Sequence, residues 1–313
     1  MSADVAQLIA DGGEAASDSE FFRSLEFFAA EGVTHSLAVG ESVNPQLALP
    51  LIVREIPEAV DLNDAISPYG YPGARVVGTP PGEVDFSETG LVSVFIRDRI
   101  GGEPCLPNPT QRGVVQIADP GKPSGIRPRL KEQIRATERT GYRIERLPEP
   151  GEEARGAFER VYTETMRRNE AAERYFFGPS YFELVLRNAR ATLLLAMGPS
   201  GEPAAGAIAV RSDDILHYFL GGTADRHLEA SPMKNLFAEM IVMAVEEEIP
   251  LSLGGGITPG DGLERFKRGF ANAELPFRTY EVIADPAAYE RLSGPSSPHD
   301  AASSFFPAYR RTS

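Results

Sequence analysis

The chain has 313 residues, enough for two domains of ordinary size, and 42% of them are apolar, enough to fill real cores. Its net charge of −14 disfavours broad contact with nucleic acid or an anionic membrane, and its single cysteine, Cys105, excludes an internal disulfide and a cysteine-rich metal site. No stretch approaches the ~20 apolar residues of a membrane span, and the acidic start shows no basic-then-apolar leader; a soluble cytoplasmic protein that does not engage membranes is the expectation.

Taken in order, residues 1–17 are small, acidic and without period, and read as a loose tail. A helix is expected from Asp18, with Phe21, Leu25, Phe28 and Ala29 on one face. Strands follow over 34–39 and 47–56. The stretch between Asp61 and Gly78 is dense in Pro and Gly and reads as a shaped loop. It carries Tyr69 and Tyr71, whose rings either pack beneath the loop or line a substrate groove. Strands are expected over 91–100 and 113–118, with a Gly/Pro loop between them. Residues 127–146 change character, with seven basic residues against three acidic ones. Lys131, Arg135 and Arg139 recur every fourth residue and make one side of a helix basic, either a solvated face or a dock for phosphates. Gly141 closes that helix, and the domain boundary is placed there: a first domain over 18–141, a second over 142–292, and a loose tail over 293–313.

The second domain opens with a strand over 142–147 and helices over 152–168 and 179–189. An antiparallel meander over 192–197, 205–211 and 215–221 comes next. A helix over 232–248, a strand over 250–254, a glycine-rich loop, a short helix over 262–269 and a strand over 277–284 complete it.

The stretch from Ile215 to Glu248 organises the reading. An apolar run ends in Gly221, Gly222 and Thr223; Ser231 suits a helix N-cap and Pro232 the first helical position. Met233, Leu236, Phe237, Met240, Ile241, Ala244 and Val245 then form one apolar face. A strand feeding a capped helix start places free N–H groups and a positive dipole end at one sheet edge, which either holds a phosphate or oxyanion or is plain architecture. Gly222, Thr223, Ser231, Met233 and Lys234 are therefore the donor-binding candidates, together with Lys131 and Arg135 of the basic helix.

Only four of the 31 basic residues are lysine: Lys122, Lys131, Lys234 and Lys267. In an arginine-rich chain each marks a place where a compact ammonium is wanted. At about 100° per residue, Lys267 falls in the apolar sector of Leu263, Phe266 and Phe270, while Glu264, Arg265 and Arg268 point elsewhere. An inward ammonium needs a partner or a cavity. His217, on the central strand, is either a general base or a satisfied core histidine, and Asp261 and Glu264 read as solvated surface. The four histidines are scattered, so no metal site is expected, and no Gly-x-Ser-x-Gly nucleophile motif occurs.

The order strand, two helices, three-strand meander, helix, strand, short helix, strand resembles the GNAT acyltransferase fold. Within it, Tyr162–Phe177, the Leu-Gly-Gly-Thr of 220–223, Ser231-Pro232, Gly254-Gly-Gly and Leu263-Glu-Arg-Phe-Lys-Arg-Gly-Phe270 resemble the second domain of the Fem-type family. Ser67-Pro-Tyr-Gly-Tyr-Pro-Gly73 resembles a loop in the first domain of the Fem-like branch, and the whole resemblance covers roughly residues 20–290. It implies an α/β chain of mixed sheets with tandem GNAT-like domains, the first degenerate and the second complete. The implied reaction forms an amide on an amine-bearing peptide or natural-product intermediate, with no permanently bound cofactor and aminoacyl-tRNA as co-substrate. Other relatives use acyl-CoA and acylate small amines.

The resemblance also implies that Lys267 lies in the active site and steadies negative charge on the donor. The turn Thr223–Pro232 lacks the paired glycines of the CoA pattern, which favours the tRNA donor. A tRNA would be drawn by the stripe over 127–146 against the acidic net charge. Tyr69, Tyr71, Arg97 and Phe266 would shape the acceptor site between the domains, and Arg97 suits a carboxylate or phosphate. A non-catalytic binding protein on the same fold is the remaining reading.

Overall fold

A computed structural model describes residues 3–41, 45–57, 59–256, 258, 260–294 and 305–311. The chain divides into two compact units, Met1–Arg112 with Phe277–Ser313, and Gly113–Pro276. The first unit opens with β1 (Asp4–Ile9), α1 (Leu25–Glu31), β2 (His35–Val39), β3 (Leu47–Ile56), β4 (Ala59–Ile66), the short strands β5 (Arg75–Val76) and β6 (Val84–Asp85), and β7 (Leu91–Arg97). β1–β2, β2–β3 and β3–β4 pair antiparallel, and β4 pairs parallel with β7. A parallel partner requires a crossover; residues 67–90 supply it without an α-helix.

Two expectations for this unit change. In the stretch expected to be a loose tail, the described residues 3–17 are tied down: β1 pairs Ala6 with Val39, and both are fully buried. The first helix starts at Leu25 rather than Asp18, because the Ser24 side chain accepts the Phe27 N–H and fixes the start there. Leu25 is then 54% exposed, while Phe21, Phe22 and Phe27 form a buried aromatic cluster and Phe28 is buried as well.

The chain passes into the second unit within β8 (Thr110–Ala118) and continues through α2 (Pro128–Arg139), β9 (Arg143–Leu147), α3 (Glu152–Arg168), α4 (Pro179–Arg187), β10 (Ala191–Met197), β11 (Pro203–Ser212), β12 (Ile215–Thr223), α5 (Met233–Glu247), β13 (Leu251–Gly254) and α6 (Gly262–Arg268). Within β14 (Ala273–Ile283) it returns to the first unit, where α7 (Pro286–Ser293) follows. The boundary expected at residue 141 therefore moves. β8 pairs with β13, and α2 is tied to α5 by the Asn235 amide donating to the Ile134 carbonyl at 3.2 Å, so 113–141 belong to the second unit. β14 pairs with β7 from Ser93↔Ile283 to Arg97↔Thr279. The end of the chain, expected to be loose, is clasped by buried Asp64: Tyr309 Oη donates to it at 3.2 Å and Arg310 Nε at 2.5 Å.

The second unit repeats the pairings of the first. β9–β10, β10–β11 and β11–β12 are antiparallel, and β12–β13 is parallel. Here the crossover carries α5, so this is the complete version and the first unit the reduced one. Leu236, Phe237, Met240, Met243 and Ala244 of α5 pack on Ala205, Ala207, Ala209, Leu216, Leu251 and Leu253. Val245, expected inward, is 56% exposed, and Met243 takes the inner position. α3 covers the opposite sheet face, where an added Cβ on Gly206 would lie 2.6 Å from the Phe158 ring.

Candidate active site

β12 and β13 stay paired for only two residue pairs, Leu216↔Leu251 and His217↔Ser252. A register shift between β11 and β12 at Ile208/Ala209 inserts an extra residue into β12, and one between β13 and β8 follows Ser252. The sheet therefore opens just past Tyr218, and α6 carries Lys267 over the opening. The Lys267 ammonium donates to the Gly255 carbonyl at 2.7 Å, on the segment after β13, and lies 5.5 Å from the centre of the Tyr218 ring on β12. Its site is thus anchored on both strands that part.

Three local features hold α6 in this pose. The Asp261 carboxylate accepts the Glu264 N–H at 2.7 Å and the Thr258 N–H at 3.0 Å, capping the helix. Glu264, expected on the surface, is buried: it accepts the Gly260 N–H at 2.8 Å and pairs with Arg268. Phe266 packs 5.4 Å from both Phe237 and Phe270, so its ring leans on the core and stays partly exposed. Leu263, placed by periodicity on the inner side, is 42% exposed, and the buried arc of α6 runs through Glu264 and Lys267 instead.

Lys267 is 6% exposed, with no carboxylate in ion-pair contact among the described residues. Burial lowers its pKa from 10.5 to about 8, with Asp261 pulling modestly the other way. It is still mostly protonated at neutral pH, a desolvated cation beside a strand opening. Lys234, in the first turn of α5, is a second buried lysine. Its side chain makes no hydrogen bond or ion pair among the described residues, and burial lowers its pKa too.

The edge around the start of α5 differs from expectation. Ser231 does not cap the helix through its side chain; it sits at φ 51°, and Pro232 takes the N-cap position. The Lys234, Asn235 and Leu236 N–H groups are occupied by the Ser231 and Pro232 carbonyls. Gly222 and Thr223 are wall rather than cradle. An added Cβ on Gly222 would lie 2.5 Å from Thr165 Oγ1, and the Thr223 N–H donates to that same oxygen at 2.9 Å. The Met233 side chain belongs to the core.

His217 is not placed to act beside Lys267. Side chains alternate along β12, so with Tyr218 under Lys267, His217 faces the other side of the sheet. Its Nε2 lies 3.2 Å from the Ser212 carbonyl, which can only accept, so this nitrogen carries the proton. Burial holds the pKa down to about 4. The unfolded imidazole protonates near 6.5, so His217 contributes stability above that value that is lost as pH falls through the folded value. His217→Gln should accordingly flatten the acid limb of stability while leaving kcat unchanged, as urea titrations over this window and a rate assay check.

Tyr69, Tyr71 and Arg97 lie near one another in the first unit, each with a contact inside it. Tyr71 packs edge-on to Phe22 and Phe277, the Tyr69 N–H donates to Glu31 at 2.7 Å, and Arg97 donates to the Ser67 carbonyl at 2.7 Å, holding the loop. On α2, Lys131, Arg135 and Arg139 are exposed and form no ion pair among the described residues. Arg146 leaves the expected stripe, because Glu239 and Glu246 bind it. No group of His, Cys, Asp and Glu among the described residues could hold a metal ion, and no helix among them is long and apolar enough to cross a membrane.

Residues 124–268, which include α5, α6 and Lys267, match the family model described as Acetyltransferase (GNAT) domain. The chain carries a GNAT domain. It is an acyltransferase of the GNAT type, and the site at the β12–β13 opening lies inside that domain. Its fold is shared with FemX (TM-score 0.58, 14% identity, 82% of this chain and 89% of that one). It is shared also with the C-terminal DUF2156 domain of an Agrobacterium fabrum protein (0.58, 11%, 89% and 93%) and with L-PGS from Bacillus licheniformis (0.55, 11%, 84% and 87%). No curated protein matches the chain.

Proposed function

We propose that the GNAT domain transfers an aminoacyl group from tRNA to an amine, with Lys267 stabilising the charge that develops on the ester. The observation that carries this reading is the Lys267 ammonium, buried and held by the Gly255 carbonyl over the opening between β12 and β13. The amine nitrogen bonds to the acyl carbon, the carbonyl oxygen gains charge, and the carbon–oxygen ester bond breaks. The amine proton passes to the leaving ribose oxygen. A fixed cation in a desolvated site favours that charge far more than one in water.

Two features favour tRNA as donor. The Lys234, Asn235 and Leu236 amides at the start of α5 are already hydrogen-bonded, which leaves the backbone a poorer cradle for a diphosphate. The exposed cations of α2 offer a polyanion a local dock in a chain of charge −14. The family's description as an acetyltransferase favours a second reading, acyl-CoA as donor. Incubation with charged tRNA and candidate amines should release deacylated tRNA. Activity that survives RNase and follows acetyl-CoA, with calorimetric binding of acetyl-CoA, selects the second reading.

A further inference from the structure

Beside α6 lies a shallow pocket of about 310 Å³ lined by Gln116, Arg268, Ala271, Asn272, Ala273 and Glu274, all within the second unit. It is one residue removed from Lys267 on two elements: Arg268 follows Lys267 on α6, and Gln116 pairs across β8–β13 with Gly254, whose neighbour Gly255 receives the Lys267 ammonium. Most of the lining is fixed. Asn272 is fully engaged, donating to the Asp119 and Pro123 carbonyls and accepting the Asp119 N–H at 2.8 Å.

The remaining polar groups are arranged asymmetrically. Gln116 is completely buried, and its Nε2 donates to Glu274 Oε1 at 2.9 Å. A carboxylate only accepts, so this bond fixes the amide orientation and leaves Gln116 Oε1 as a buried acceptor without a donor. Arg268 bridges Glu264 and Glu274, and its contact with Glu274, at 3.4 Å, is also to Oε1. Both protein donors converge on one carboxylate oxygen, and no described residue donates to Oε2. One guanidinium between two carboxylates leaves the trio with a net charge of −1. Gln116 Oε1 is wholly enclosed, whereas the Glu274 side chain is 45% exposed, so the oxygen open to a cationic donor is Glu274 Oε2.

We propose that this pocket captures the acceptor as its ammonium ion, which releases one proton to solvent before the neutral amine attacks the ester, with Glu274 as counter-ion and Gln116 as the residue that positions Glu274. The assignment rests on the reading of the chain as an amine acyltransferase and names the residues that select the amine. It is tested by calorimetry on the full chain with n-butylamine and cadaverine, against N-butylacetamide, which has the same body but no cation. The free amines bind and the amide does not. Glu274→Gln weakens amine binding by about tenfold or more. Gln116→Leu, with an unchanged unfolding midpoint, raises the amine Kd and KM while leaving the donor KM alone, a split that a loss of packing would not give.

Lys267→Met keeps the amine Kd, which separates the two readings. If acyl transfer is the wrong reaction, the wild type is inactive with every donor, yet Glu274-dependent amine binding persists. If the pocket is wrongly assigned, acyl transfer proceeds but Glu274→Gln leaves the amine Kd and KM untouched. Absence of amine binding to the wild type at tens of millimolar, or equal binding of N-butylacetamide, overturns the assignment.

Discussion

Lys267→Met is expected to lower kcat by about 10²–10³, the scale of removing one preorganised oxyanion donor, while leaving the fold at least as stable. Methionine has nearly the length of lysine and no charge, so the space beside Tyr218 stays filled. The stability side follows from burial. The folded pKa of Lys267 is about 8 against 10.5 for the free side chain, so between those values the unfolded chain binds more protons and stability rises with pH. Below about 8 the protonated, desolvated ammonium lowers stability by about 3 kcal/mol. Removing it relieves that burden, and the orphaned Gly255 carbonyl takes back about 1–3 kcal/mol. Single-turnover rates and urea midpoints measured on one preparation separate the two effects. A lysine kept only for packing would instead lose stability with no selective loss of turnover.

The second large effect is expected on α2. Reversing Lys131 and Arg135 together to glutamate should raise the KM for charged tRNA by about tenfold to a hundredfold and reduce its dependence on salt, because each phosphate contact contributes roughly one released counterion to the slope. Turnover at saturation should hold, since neither side chain touches Lys267 or the segment that binds it. Both side chains are exposed, so the fold should tolerate the change to within about 0.5 kcal/mol. The pair is informative because Arg146, on the neighbouring strand, is neutralised by Glu239 and Glu246 and makes an internal control. Arg146→Gln should affect stability more than tRNA affinity. Equal KM values for the reversed and native helices, at low and high salt, would remove α2 from donor binding.

What the sequence made legible follows from which forces are local. The helix over 152–168 matches α3 end to end, because Phe158, Val161, Tyr162 and Thr165 recur at helical spacing and all face inward. The meander of β10–β12 is marked by apolar runs broken at Gly198–Gly201 and Asp213–Asp214. The burial of Lys267 follows from the arc it shares with Phe266 and Phe270. Features set by distant partners were not legible. β4 carries Asp61, Asn63 and Asp64 and reads as a polar loop, yet Asp64 is buried because Arg54 and Arg310 meet it, the latter from 246 residues away. β1 is short and reads as tail, and only its pairing with β2 and β6 orders it.

Glu264 gave no local sign of burial beyond the spacing Asp261-x-x-Glu264, a capping signature that could have been read. Gln116 and Glu274 lie on strands whose ends extend past the expected bounds, and nothing in their spacing brings them together. The site residues assigned to the first unit, Tyr69, Tyr71 and Arg97, show how little residue type alone decides. Aromatic rings and a guanidinium in a Pro/Gly loop suit a substrate, yet Tyr71 also packs on Phe22 and Arg97 also ties down the Ser67 carbonyl, contacts that spacing does not announce.

The central claim, that Lys267 acts as a cation, is tested most directly by the pH dependence of the single-turnover rate with saturating donor and amine. A cation is lost by deprotonation, so the rate of the wild type should fall as pH rises through about 8, once corrected for the amine's own titration, and Lys267→Met should lack that limb at its lower rate. A rate that climbs through the same range would mean that neutral lysine is the working form, as for a general base, and would contradict the account.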